Sequence, residues 1–128
     1  MKKLSFALLA IVISVSFLFG CAKKAVDTSL PPLDQMVAHL ENVAKMLEEN
    51  KDNPEKAAEL IKKYSEDNKA AIEELTKTLD KMEEDGTEEE KAKMKADAMG
   101  KVMPVMGRIM AAGADPKIQE ALKGLKMN

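Results

Sequence analysis

From residue 33 onward, apolar positions recur at helical spacing. Leu33, Met36, Val37, Leu40, Val43, Ala44 and Leu47 fall at i, i+3, i+4 and i+7, with Asp34, Gln35, Glu41, Lys45 and Glu48 between them. That rhythm puts the apolar set on one face of a helix over about 33–50. Asn53-Pro54 restarts it: asparagine can cap through its side-chain oxygen, and proline suits a first helical position whose N–H would be unpaired anyway. Ala57, Ile61, Tyr64, Asn68, Ile72, Leu75, Leu79 and Met82 then form one long stripe over about 54–84. Asn68 interrupts it, a polar position that either fixes register or points to the rim.

Gly86 ends the second pattern, as the residue best able to take a left-handed turn. Thr87 and Glu90 stand three apart as a capping box, and Glu88 and Glu89 favour the positive end of the new helix. The turn is short enough to set the flanking helices antiparallel. The third pattern, about 88–112, carries Ala92, Lys95/Ala96, Met99, Val102/Met103, Met106 and Ile109/Met110 and closes at Gly113. Pro104 lies inside it, removes one hydrogen bond and crowds the Gly100 carbonyl, so a kink is expected there and not a break. Asp115-Pro116 opens a last short helix, about 116–126, with Ile118, Ala121, Leu122 and Leu125 on one face. No strand pattern occurs. The expectation is all-α: an antiparallel bundle of three amphipathic helices plus a short C-terminal helix, occupying residues 31–128.

The first 22 residues follow another logic. Met1-Lys2-Lys3 is basic, and Leu4 to Phe19 is uncharged and holds all three phenylalanines; small Gly20 then precedes Cys21. A 16-residue apolar run is nearer the signal-peptide class than the roughly 20 residues of a spanning helix. Leu18-Phe19-Gly20-Cys21 resembles the lipobox of bacterial lipoproteins: an aliphatic residue, a variable one, a small one, then cysteine. The resemblance implies that residues 1–20 are removed between Gly20 and Cys21, and that Cys21 is acylated and holds the chain to a membrane. Phe19 stands where a smaller or aliphatic residue is commoner, and an uncleaved helix from Leu4 to Ala22 is the alternative. Ala22, rather than aspartate, follows the cysteine, which in the sorting rule of enteric lipoproteins points to the outer membrane, facing the periplasm. Residues 21–30 then form a lipidated cysteine and a tether that reaches at most roughly 30 Å. Lys23 and Lys24 would lie beside the head groups, drawn to anionic lipid or merely solvated.

Charge and composition narrow the function. Two of the 20 basic residues, Lys2 and Lys3, precede Gly20, leaving 18 against 22 acidic residues, net −4. A mixed, mildly acidic surface lacks the basic face that nucleic-acid binding needs. One cysteine allows no intrachain disulfide, so packing alone must hold an exported domain. With Cys21 committed to the anchor, His39 alone and beside its stripe, and no Gly-rich phosphate loop, no catalytic or cofactor-binding set is expected.

Nine methionines follow Met1, and Met94, Met99, Met103, Met106 and Met110 crowd the third helix. Thioethers bind Cu(I), so Met99, Met103, Met106 and Met110 are one candidate small-ligand site. The same spacing is that of a helical core, where methionine substitutes for missing aromatic bulk, and core packing is the primary expectation; a partner-binding groove is the other. Val102 to Ala114 is apolar save Arg108, which should reach the surface or pair with a carboxylate, and so apolar a helix points to self-association. Glu83, Glu84, Asp85, Glu88, Glu89 and Glu90 read as a solvated acidic tip, without the alternating ligands of a calcium loop. The expected protein is a membrane-anchored envelope lipoprotein, non-enzymatic, acting on an envelope protein or on itself. A purely structural envelope role is the remaining option, although the chain ends Lys126-Met127-Asn128 and lacks long unbroken heptads.

Overall fold

The computed structural model describes residues 25–125, and these fold as four helices: α1 (Pro32–Glu49), α2 (Pro54–Asp85), α3 (Glu88–Ala112) and α4 (Pro116–Lys123). The predicted Gly20–Cys21 cleavage site, the signal and the start of the tether lie outside the described residues. Among the described residues there is no strand, and no helix is long and apolar enough to cross a membrane.

Local chemistry sets the helix starts. The Asn53 side chain accepts from the Lys56 amide at 3.1 Å, and Asp115 accepts from the Lys117 amide at 2.9 Å, each just before a proline. Thr87 and Glu90 close the full capping box: the Glu90 amide donates to Thr87 Oγ1 at 3.2 Å and the Thr87 amide to Glu90 Oε2 at 2.8 Å. Those bonds hold the Glu90 carboxyl below its ordinary pKa. Gly86 departs from the expected left-handed turn, with φ −71° and ψ 155°. Its need for glycine is spatial, since an added Cβ would stand 2.8 Å from the Met82 carbonyl oxygen. Helix α3 runs on through Pro104 without a break.

Helix α1 is the centre of the packing. Both α2 and α3 lie against it, α4 lies on α2, and α2 and α3 barely touch despite the two-residue connection between them. Short links make α2 antiparallel to both neighbours. In agreement, Lys101 pairs with Asp34 and Arg108 with Glu41, two pairs in the same register, so α1 and α3 run in the same direction. The core joins Leu40, Val43, Ala44 and Leu47 of α1 to Ala57, Ile61 and Tyr64 of α2, Val105 and Ile109 of α3, and Ile118 and Ala121 of α4. These residues all lie between Leu40 and Leu125, so the helical domain holds its own core.

The third helix is turned differently from expectation. Met99, Met103 and Met110 are 66%, 62% and 72% exposed, whereas Val105 and Ile109 are buried and Val102 and Met106 lie half-buried against the core. Met99, Met103 and Met110 are therefore not on the inner face of α3, whereas Met106 is. A run that is apolar all round carries no phase of its own; the phase comes from Arg108, which docks on α1 and turns the opposite side outward.

Beyond the core, α2 and α3 outrun α1. Burial in α2 ends at Leu75 and in α3 begins at Val105, leaving an arm whose tip is Gly86.

Candidate functional site

Three places bear on function: a polar cluster inside the core, the groove at the root of the arm, and the outer face of α3.

The core cluster joins α1 to α2. Tyr64 is buried at 3% exposure, and its hydroxyl stands 2.7 Å from His39 Nδ1 while the Asn42 side-chain amide donates to it at 3.1 Å. The consistent assignment has the hydroxyl donating to an unprotonated Nδ1 and accepting from Asn42. The rings meet edge to face with centroids 5.8 Å apart. Burial pushes the His39 imidazolium below its usual pKa. Burial also raises the Tyr64 phenol, against the opposing hydrogen bond from Asn42. His39 is thus a member of the core, with Tyr64 as the partner that sequence alone did not reveal. The Asn68 side chain donates to the Tyr64 carbonyl in its own helix, so it sits at the rim.

The groove lies between the start of α1 and the arm. Pro31, Pro32 and Leu33 face Leu79, Met82 and Met94 across an open space of about 710 Å³, edged by Asp34, Lys81, Lys93 and Asp97. The acidic residues at the tip are exposed. Among the described residues no group of three His, Cys, Asp or Glu side chains is placed to hold a metal.

The outer face of α3 is apolar and exposed. Among the described residues, Met99, Met103 and Met110 are three of the five exposed large apolar side chains, and Gly100 and Gly107 lie beside them. An added Cβ at either glycine would meet nothing within 4 Å, so the domain's own packing does not require them. Glycine inside a helix costs about 0.5–1 kcal/mol relative to alanine, and here that cost has no return within the monomer.

Electrostatics keep this face free of charge. Arg108 reaches across to α1, donating from Nε and Nη2 to Glu48 at 2.8 Å each and from Nη1 to Glu41 at 2.7 Å. That fork raises the pKa of the guanidinium and lowers that of the Glu48 carboxyl. Lys101 is drawn the same way, 2.5 Å from Asp34. These pairs are partly solvated and add little stability. Their effect is directional, because they place the charges of this stretch on the α1 side of α3.

The Cu(I) arrangement gains nothing from this geometry. Met99 and Met110 are about 16 Å apart along the axis at 1.5 Å per residue, Met106 is turned partly inward, and His39 is held in the core. Comparison with protein-family models, with curated proteins and with solved structures finds no match to this chain.

Proposed function

We propose that this chain is a lipid-anchored bacterial envelope protein whose helical domain acts by binding protein through the outer face of α3. The observation that carries the binding half is the bare methionine face. A monomeric domain gains nothing by leaving three large apolar side chains in water around two unneeded glycines, whereas a docking surface does. Methionine suits such a surface because its unbranched thioether adapts to a partner's contour. The domain has no catalytic role in this proposal, since its one histidine is spent inside the core against Tyr64.

Support for the anchor comes from residues 1–22: a basic start, an uncharged run, then Leu18-Phe19-Gly20-Cys21. Ala22 after the cysteine favours the outer membrane, with the domain in the periplasm. Helix α1 begins at Pro32, so the domain works within about 30–35 Å of the acylated residue.

Labelled palmitate and membrane fractionation test the anchor. The wild-type chain is expected to take up the label and sediment with membranes. Cys21→Ser should take up none and accumulate as the longer precursor. Normal processing and membrane retention of Cys21→Ser would overturn the anchor.

A further inference from the structure

We infer that the partner on the outer face of α3 is a second copy of this chain, seated with the two α3 helices antiparallel. The inference rests on the binding role proposed above and adds the identity of the partner.

Size alternation along the face carries it. An antiparallel pairing centred at the level of Val105 brings Met103 to the level of Gly107 in the other copy, Met110 to the level of Gly100, and Met99 to the level of Ala111. Each of the three methionines therefore meets a small residue, and by symmetry the match is made twice. An isologous two-fold contact demands this self-complementarity. It also gives Gly100 and Gly107, where an added Cβ meets nothing within the monomer, a reason to be glycine. Close helix approach at the two glycines leaves room for the methionines beside them.

Charge and area agree with that occupant. With Lys101 and Arg108 drawn towards α1, no like charges confront each other across a two-fold seam here. The uncharged strip from Ala96 to Ala111 is about 22 Å long on a helix about 11 Å across, which offers roughly 250 Å² per copy. That is small for a specific interface, so the dimer is weak in free solution. Two copies tethered to one membrane meet at a raised effective concentration, which compensates. Geometry permits it: Asp34 lies level with Lys101, so the two α1 helices begin about 18 Å apart along the seam, within reach of tethers of roughly 30 Å.

Photocrosslinking in intact cells tests the proposal on the full chain. With p-benzoyl-phenylalanine at position 103, irradiation is expected to give an adduct of twice the chain's mass. Gly107→Lys should reduce its yield at least about tenfold by burying like charges across the seam, with thermal unfolding of the domain unchanged. Cells making one copy with Met110→Cys and another with Gly100→Cys should form a disulfide-linked dimer. Met110→Cys alone should not, because the antiparallel register separates the two cysteines by about 15 Å along the axis. An adduct only with a different protein overturns the second copy while the binding role stands, and absence of any adduct overturns both. A dimer that survives Gly107→Lys, or one linked through Met110→Cys alone, overturns this interface.

Discussion

Ile109→Ala is expected to cost the domain about 2–5 kcal/mol, the range for removing a buried aliphatic side chain whose space cannot refill. Ile109 is 1% exposed and joins the core shared by all four helices. Typical domains hold about 5–15 kcal/mol in total. Against that, the loss is large enough to shift the urea midpoint by a wide margin, and urea unfolding followed by circular dichroism measures it. A cost below about 1 kcal/mol would mean that α3 is not seated on α1 through this residue. The polar fork of Arg108 does not replace that packing, because it lies half in solvent.

Tyr64→Phe is expected to cost about 1–3 kcal/mol although it removes a single oxygen. The change deprives His39 Nδ1 of its donor and Asn42 of one acceptor, and both side chains are buried. The same cluster sets a pH dependence. Burial holds the His39 pKa in the folded state below its unfolded value near 6.5. Its contribution to stability is therefore complete above about pH 6.5 and declines as the pH falls below that towards the folded value. The carboxyls lowered by hydrogen bonds, Asp27, Glu48, Glu55 and Glu90, also lose stabilisation on acidification, but only in the range around and below their ordinary 3.8 to 4.5. Between pH 7 and pH 5 the loss belongs to His39, and His39→Gln should flatten the unfolding free energy across that interval. A slope that survives His39→Gln would assign it elsewhere.

The fold was legible where chemistry is local. Asn53-Pro54, Thr87 with Glu90 and Asp115-Pro116 mark helix starts by their own hydrogen bonds, and each opens a helix where it stands. The stripes of α1 and the first half of α2 were legible too, because polar residues on the far side fix their phase. On α3 that information is missing: with Arg108 as the only charge from Val102 to Ala114, periodicity cannot say which side is inner. Spacing alone marks the methionines as core, which holds for Met106 but not for Met99, Met103 and Met110, whose side is set by the pairing of Arg108 with Glu41 and Glu48. The side relation of α2 and α3 was hidden for a similar reason. A tight turn fixes their directions, but α1 takes up the inner faces of both. Tyr64 was visible as the sole aromatic, yet its link to His39 and Asn42 joins residues more than 20 positions apart, and no local signal announces such a pair.

Helix α3 divides its labour, with Val105 and Ile109 inside the core and Met99, Met103 and Met110 outside it. Urea unfolding of the dilute helical domain carrying Met99→Gln, Met103→Gln and Met110→Gln together tests it most directly. Surface replacements of this kind change stability by about 0.5 kcal/mol or less each, so the triple variant should unfold close to the wild type. If these three methionines were core, each loss would approach the cost of a buried apolar side chain, and a fall of several kcal/mol would put them inside the fold.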